Sequence, residues 1–314
     1  MKRIVTALML VVAFLGAEAR PKVALVLGGG GAKGAAEVGV LKYIEKAGVP
    51  IDMIVGTSIG SVVGGLYSVG YRADSLEVLF RSQEWIGLLA DAKTDVATNV
   101  SGGSILGKGL SLLKGGDWLG NLGAIRGDSI VSYLDHLTGR RAEMSFDSLP
   151  IPYSCVAVDL KTLDEVVITS GRLPVAMRAS MAIPLVFKPV RLRSQVLVDG
   201  GVLNNLPVDV ARQMGADYVI AVDVTQNKPG ESDGPDLPLV LKQIPWLNWL
   251  ANRPDRDKYI NNVADADVYI NPRLEGCSVI SFNKVDMMIA QGELAGKAAY
   301  KKLVKLRKKC LRHK

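Results

Sequence analysis

The chain has 314 residues, of which 48% are hydrophobic and 22% are charged, and its formal net charge is +7. This length suits one large α/β domain or two small ones, and the composition is that of a globular protein with ample core material, not of a disordered chain. The excess positive charge lies between Lys301 and Lys314, so the body is near neutral, which argues against a nucleic-acid partner.

The first residues have the order of a secretory signal peptide. A basic start is followed by an uncharged, mostly apolar run from Ile4 to Gly16 and by Ala17-Glu18-Ala19, which fits a small-residue cleavage site. The run is short for a membrane span, and an uncleaved anchor is the alternative. We therefore predict a signal peptide over residues 1–19. A single exported domain over residues 20–314 would follow, ending in a basic helix or tail.

The first predicted strand of this domain, Lys22 to Leu27, runs directly into four glycines, and a helix is predicted from Ala35 to Ala47. A Walker phosphate loop is excluded, because Lys33 follows an alanine and precedes a glycine. The spacing Gly29-x-Gly31-x-x-Gly34 fits a dinucleotide-binding fingerprint by letter. However, Asp52 opens the second strand, whereas the fingerprint requires an acid at the end of that strand.

The remaining interpretation of the glycine loop is an oxyanion hole. A serine nucleophile forms a tetrahedral intermediate whose negative oxygen needs preorganised N–H donors. The backbone of Gly29, Gly30 and Gly31 would supply such donors with no side chain in the way. Lys33 would add positive potential or anchor the loop.

The stretch from Met53 to Gly65 predicts a strand, a sharp turn and a helix, with Ser58 at the turn. A G-x-S-x-G motif in this context is typical of a nucleophile elbow. Gly56 and Gly60 are needed there because a Cβ atom would collide with the returning backbone. The helix would direct its N-terminal N–H groups and positive dipole end at the serine. The alternative is a glycine- and serine-rich turn without a catalytic role.

Further elements follow along the chain. Weak periodicity and frequent glycine between Ile86 and Arg126 predict an irregular cap over the site, or a plain surface excursion. The apolar segment Ile244–Leu250, which holds two tryptophans, would pack on the core or lie at a membrane interface. Helices are predicted over Arg72–Trp85, Asp128–Leu137 (with Asp128 or Ser129 as N-cap), Arg172–Ala182, Val208–Met214 and Val285–Leu311. Strands are predicted over Pro152–Val158, Glu165–Thr169, Gln195–Asp199, Asp217–Val224 and Val268–Ile270.

A serine nucleophile needs a group that accepts its proton, and histidine is the usual one. His313 lies one residue from the end of the chain, and His136 lies in a predicted helix where a surface position is expected. Asp199 is the stronger candidate, because it ends a strand and precedes Gly200 and Gly201, at the catalytic edge of an α/β sheet. Such a pair requires that burial raise the pKa of the aspartate, since an ordinary carboxylate is a weak base.

The sequence resembles the patatin-like phospholipases over about Lys22 to Val224. Four motifs occur in the order and spacing of that family: Gly29-Gly30-Gly31-Ala32-Lys33-Gly34, Gly56-Thr57-Ser58-Ile59-Gly60, Arg178-Ala179-Ser180-Met181-Ala182-Ile183-Pro184 and Asp199-Gly200-Gly201. The run Asn204-Asn205-Leu206-Pro207 also looks like the family. The resemblance implies a three-layer α/β/α fold with a mostly parallel central sheet, and lipid acyl hydrolysis by a Ser–Asp dyad without a metal or cofactor.

By this resemblance Ser58 is the nucleophile, Asp199 is the base, and the backbone of Gly29 to Gly31 is the oxyanion hole. Lys33 stands where the family has Arg or Lys. We expect a bacterial serine lipid acyl hydrolase of the phospholipase A or lysophospholipase type, periplasmic or secreted, without a fused outer-membrane barrel. The alternatives are an acyltransferase with the same dyad, a catalytically weak membrane-associated lipid-binding protein and, from the fingerprint, a nucleotide-dependent enzyme.

The expected partner is a phospholipid or another fatty-acyl ester. The basic tail has eight Lys or Arg and no acid over Lys301 to Lys314 and predicts peripheral contact with an anionic membrane; a solvated helix end is the alternative. The three cysteines, Cys155, Cys277 and Cys310, lack metal-ligand spacing, and one disulfide among them would leave a free thiol.

Overall fold

The computed structural model describes residues 20–91, 123–225 and 255–312 of the chain. The predicted signal peptide, most of the cap predicted over Ile86 to Arg126 and the tryptophan-containing segment Ile244–Leu250 lie outside the described residues.

A central sheet organises the described residues. Its eight strands are β1 Val23–Leu27, β2 Met53–Thr57, β3 Tyr153–Asp159, β4 Asp164–Ile168, β5 Val190–Leu192, β6 Gln195–Asp199, β7 Tyr218–Val222 and β8 Val268–Ile270. Their order is β5-β6-β3-β2-β1-β7-β8, and β4 also pairs with β3. The series β3-β2-β1-β7-β8 is parallel, whereas β4 and β6 pair antiparallel with β3, and β5 with β6.

The parallel strands are buried on both faces, which is why they read as nearly continuous apolar runs. All five residues of β1 are buried. Leu25 and Leu27 contribute to the core on one face, and Ala24 and Val26 to the core on the other. Alternate residues of one short strand therefore supply two layers of packing.

Helices cover both faces of this sheet. They are α1 Ala35–Ala47, α2 Ile59–Ser68, α3 Ala73–Ser82, α4 Trp85–Leu89, α5 Asp128–Thr138, α6 Leu173–Ser180, α7 Val208–Gln213, α8 Arg256–Asp265 and α9 Val285–Leu311. The larger core includes apolar residues of α1, α2 and α9, and the smaller one includes residues of α7 and α8. The predicted three-layer α/β/α fold with a mostly parallel sheet is confirmed.

The bounds predicted for the helices Ala35–Ala47 and Val285–Leu311 and for the strands Gln195–Asp199 and Val268–Ile270 are confirmed. The single helix predicted over Arg72–Trp85 is wrong, because the chain is extended at Gln83 and divides it into α3 and α4.

The predicted N-cap of α5 is also wrong. The carboxylate of Asp91, far back in the chain, accepts the N–H groups of Gly127 at 2.6 Å and Ser129 at 2.9 Å. Neither β5 nor α8 was predicted. The helix α8 buries only Tyr259 and Asn262. Its sequence is therefore mostly polar and lacks the apolar periodicity from which a helix is predicted.

All three cysteine thiols are free. Within the described ranges no helix is both long enough and apolar enough to cross a bilayer.

Candidate active site

Ser58 forms the turn between β2 and α2. The strand ends at Thr57 and the helix begins at Ile59, so Ser58 reverses the chain, with φ 55° and ψ −125°. A residue with a side chain rarely adopts such a conformation, which costs on the order of 1–3 kcal/mol and recurs at functional sites. A Cβ atom on Gly56 would lie 2.5 Å from the carbonyl oxygen of Gly60, and one on Gly60 would lie 2.6 Å from that of Gly28. Only glycine fits on both sides of the turn.

Asp199, the last residue of β6, lies beside Ser58 although 141 residues separate them in the chain. Because β6 and β2 both pair with β3, the ends of the two strands meet. Ser58 Oγ donates a hydrogen bond of 2.6 Å to Asp199 Oδ2, and both residues are 6% exposed. Asp199 Oδ1 accepts the N–H of Gly201 at 2.8 Å, which fixes the orientation of the carboxylate.

Burial changes the proton affinity of this carboxylate. Loss of hydration raises the pKa of Asp199 from 3.8 to about 6, and the rise is opposed by the hydrogen bonds from Ser58 and Gly201 and by the charge of Arg178. A carboxylate with a raised pKa is a stronger base than one in water and is still ionised at neutral pH. Asp199 can therefore accept a proton from the hydroxyl that it already contacts.

Ser180, the last residue of α6, holds the backbone at the turn. Its hydroxyl oxygen accepts the N–H of Ser58 at 3.0 Å and donates to the carbonyl oxygen of Val156 in β3 at 2.6 Å. Ser180 is fully buried. The strained turn is thus tied to the neighbouring strand, and the N–H of Ser58 itself is occupied.

Asn205 clamps the glycine loop that follows β1. Its carbonyl oxygen accepts the N–H of Gly29 at 3.2 Å, and its side-chain Nδ2 donates to the carbonyl oxygen of Gly29 at 3.3 Å. A Cβ atom on Gly29 would lie 2.9 Å from the Cβ of Ser58, so the loop passes directly against the serine.

The three glycines predicted as oxyanion donors are not equivalent. The N–H of Gly29 donates to the carbonyl oxygen of Asn205. Among the hydrogen bonds of the described residues, none is donated by the N–H of Gly30 or of Gly31. Gly31 has φ +56°, and a Cβ there would collide with the carbonyl oxygen of Val279. These two N–H groups are therefore free to bind an anion beside Ser58.

A cleft of about 380 Å³ opens over the serine. Ser58, Asp199, Gly201 and the glycines 29–31 all line it. The rest of the lining is mostly apolar or neutral and includes Ile183, Pro184, Val202 and Val279. The cleft thus joins a buried proton acceptor, free N–H donors and an apolar wall.

The remaining predicted site residues lie behind this cleft. Lys33 is half-buried in the 3₁₀ turn after the loop and is not part of the lining. Gly200 packs against the backbone of β3, where a Cβ would collide with the carbonyl oxygen of Val156. Gly200, like Gly56 and Gly60, shapes the backbone and does not face the cleft.

The competing candidates lie elsewhere. Asp52 binds the guanidinium of Arg20 and the N–H of Val23 at the start of the strands, the edge opposite to Ser58. His136 is exposed on α5, as predicted. Within the described residues no cluster of three or more acidic, histidine or cysteine side chains could hold a metal ion.

Three residues at the site were given no role from the sequence: Ser180, Asn205 and Val279. Ser180 and Asn205 both lie in runs that resemble the patatin-like phospholipases, and their position in these runs is the sequence feature that could have indicated a role at the site. Val279 lies in a loop between β8 and α9 without a motif, and only tertiary contact places it at the cleft.

A strained serine at a strand–helix turn, a buried aspartate and a glycine loop at the carboxyl edge of a parallel sheet define an α/β protein with a serine–carboxylate site. Residues 25–212 match the family model of the patatin-like phospholipases. The chain belongs to this family.

Curated relatives agree with this assignment. Patatin-like phospholipase domain-containing protein 6 of Homo sapiens is 31% identical over 304 residues, which cover 88% of this chain and 20% of that protein. An NTE family protein of Mycobacterium tuberculosis is 33% identical over 230 residues, which cover 73% of this chain and 55% of that protein. The chain spans about a fifth of the length of the human relative.

The solved structure of VipD from Legionella pneumophila is similar at the level of the fold. The match has a TM-score of 0.51 at 16% identity and covers 91% of this chain and 68% of that one.

Proposed function

We propose that the protein is a serine lipid acyl hydrolase of the phospholipase A or lysophospholipase type, which cleaves fatty-acyl esters. The observation that carries this proposal is the 2.6 Å hydrogen bond from Ser58 Oγ to Asp199 Oδ2 at the floor of a partly apolar cleft. Membership of the patatin-like phospholipase family supports a lipid ester as the substrate.

In the proposed first half-reaction, Ser58 Oγ attacks the ester carbonyl carbon while its proton passes to Asp199 Oδ2. The negative carbonyl oxygen of the tetrahedral intermediate is bound by the free N–H groups of Gly30 and Gly31, and the N-terminus of α2 adds its positive dipole end. The intermediate collapses as the protonated Asp199 gives its proton to the leaving alcohol, and the acyl group remains on Ser58.

In the second half-reaction, Asp199 takes a proton from a water molecule, whose oxygen attacks the acyl carbon. Collapse of this second intermediate releases the fatty acid and returns the proton to Ser58. An alcohol in place of the water would give acyl transfer by the same steps. Since Ser180 occupies the N–H of Ser58, the proposed oxyanion donors come from the loop and not from the nucleophile's own backbone.

The experiment is fatty-acid release from mixed phospholipid vesicles by the unmodified protein, Ser58→Ala and Asp199→Asn. Ser68→Ala is the matched control, because Ser68 is a buried serine at the far end of α2 that donates only to Gly65. We expect release by the unmodified protein and the control and its loss in the two dyad variants.

Release that survives Ser58→Ala would refute the mechanism. Labelling of the unmodified protein by a fluorophosphonate, without labelling of Ser58→Ala, would separate an enzyme from a protein that only binds lipid. Repeating the assay with an added alcohol and following the acyl ester product would separate hydrolysis from transfer.

Export to the periplasm or secretion is proposed from the order of residues 1–19. The N-terminal sequence of the protein recovered from its producing cell tests it: a chain that begins at Arg20 supports cleavage, and one that begins at Met1 contradicts it.

A further inference from the structure

The loop between β8 and α9 brings an exposed apolar pair to the mouth of the cleft. We call Ser278–Phe282 the 278–282 loop. Within it, the side chain of Val279 is 48% exposed and that of Ile280 is 74% exposed, the highest value among the large hydrophobic side chains described. Val279 also lines the cleft that holds Ser58. The apolar surface is therefore continuous with the wall of the candidate active site.

Hydrogen bonds within this loop and one ring contact to α4 give it a defined structure. Ser278 donates its N–H to Ser281 Oγ at 3.0 Å, and Phe282 donates its N–H to the carbonyl oxygen of Ile280 at 2.8 Å. The ring of Phe282 stacks on that of Trp85, with 5.9 Å between centroids and 18° between planes. The two apolar side chains are consequently presented to solvent by a structured turn.

The same loop contacts the glycine loop directly. The carbonyl oxygen of Val279 accepts the N–H of Ala32 at 2.8 Å, immediately after the two free N–H groups of Gly30 and Gly31. The 278–282 loop is therefore hydrogen-bonded to the glycine loop that is proposed to bind the oxyanion.

The basic end of α9 is too far from the cleft to bring the cleft to a membrane surface. The ammonium of Lys309 lies 5.4 Å from the ring centroid of Tyr218, the first residue of β7. These groups mark the edge where the parallel strands begin, about 15 Å of strand from the edge that carries Ser58. A bilayer bound only at the basic end would face away from the cleft.

We propose that Val279 and Ile280 form the site by which the protein docks on a lipid bilayer and presents its cleft to the esters held there. This rests on the proposed lipid acyl hydrolase function. Insertion of Ile280 into the bilayer removes an apolar side chain from water. Between residues 273 and 284, the two cations Arg273 and Lys284 outnumber the single acid Glu275, and this positive balance suits a bilayer with phosphate headgroups.

The test measures sedimentation of the full chain with zwitterionic phosphatidylcholine vesicles in the Ser58→Ala background, where no lipid can be consumed through the proposed nucleophile. Ile280→Asp is compared with Leu294→Asp. Leu294 is a 58% exposed leucine about 13 Å along α9 from the first residue of that helix. Thermal melting confirms that both variants remain folded.

We expect Ile280→Asp to raise the vesicle dissociation constant at least tenfold, which is about 1.4 kcal/mol, and Leu294→Asp to change it less than twofold. Binding by the parent should persist at about 0.5 M salt, because an apolar contact is not screened. With Ser58 present, Ile280→Asp should lower the ratio of vesicle hydrolysis to hydrolysis of a monomeric soluble ester about tenfold.

Three results would overturn the docking proposal: no vesicle binding by the parent, equal binding by Ile280→Asp and the parent, or binding that salt abolishes, which would show that charge and not the apolar pair holds the protein on the vesicle. The proposed function fails separately, through fatty-acid release that does not depend on Ser58, and the sedimentation result does not change with that outcome.

Discussion

Replacement of Asp199 by asparagine should stabilise the fold while it removes the proposed base. The pKa of Asp199 is raised by burial from 3.8 to about 6, so in the window between these values the folded chain holds more protons than the unfolded chain. Stability therefore falls as the pH rises through this window. A pKa difference of this size corresponds to about 3 kcal/mol in the free energy of unfolding at pH 8 and about half of that at pH 5.

Asparagine removes this penalty at small structural cost. Its Oδ1 can accept the N–H of Gly201 and its Nδ2 can donate to Ser58 Oγ, so both hydrogen bonds of the carboxylate have replacements. The expected gain over the unmodified protein is about 3 kcal/mol at pH 8 and about 1.5 kcal/mol at pH 5. Equilibrium urea unfolding of both proteins at the two pH values measures it.

Asp159→Asn is the control for the substitution itself. Asp159 is also buried, and its Oδ1 accepts the N–H groups of Lys161 and Val196, both at 3.1 Å. A neutral amide oxygen accepts these bonds less strongly than a carboxylate, so this variant should lose stability. A destabilised Asp199→Asn, or a gain that does not grow between pH 5 and pH 8, would refute the reasoning that burial of the charge dominates at Asp199.

Three further predictions concern activity. Ester hydrolysis should rise with pH to half of its maximum near pH 6, where Asp199 loses its proton, and a pH–rate profile of kcat/KM with no inflection between pH 5 and 7 would contradict this. Gly29→Ala should abolish activity, because the added Cβ would collide with Asn205 Oδ1 and lie 2.9 Å from the Cβ of Ser58; a fluorophosphonate labelling rate within twofold of the unmodified protein would count against it. Ser180→Ala should lower the free energy of unfolding by about 1–3 kcal/mol and lower kcat, because it leaves the N–H of Ser58 buried without an acceptor; unchanged urea unfolding would show that this bond contributes nothing.

Much of the fold was predictable because local sequence determines it. The helix Ala35–Ala47 has an apolar face, and the parallel strands are apolar runs because both of their faces are buried. Ser58 between Gly56 and Gly60 was also readable, because the turn tolerates no Cβ on either side. Asp199 could be proposed from its place at a strand end before two glycines.

Other features depend on contacts between distant parts of the chain. The cap of α5 comes from Asp91 and not from its own first turn, because any carboxylate that tertiary structure brings to a helix N-terminus can accept its N–H groups. Likewise, which glycine N–H groups are free could not be read locally, since the N–H of Gly29 is accepted by the carbonyl oxygen of Asn205, 176 residues away in the chain.

The sequence alone therefore determined most of the elements, the G-x-S-x-G motif around Ser58 and the family resemblance. Only the tertiary structure decided how these parts meet. It brought Asp199 within 2.6 Å of Ser58, and its burial of that pair is what raises the pKa of the carboxylate. It also put the basic end of α9 at the start of β7, where Lys309 lies 5.4 Å from the ring centroid of Tyr218, and put Val279 at the cleft beyond the other end of the parallel strands.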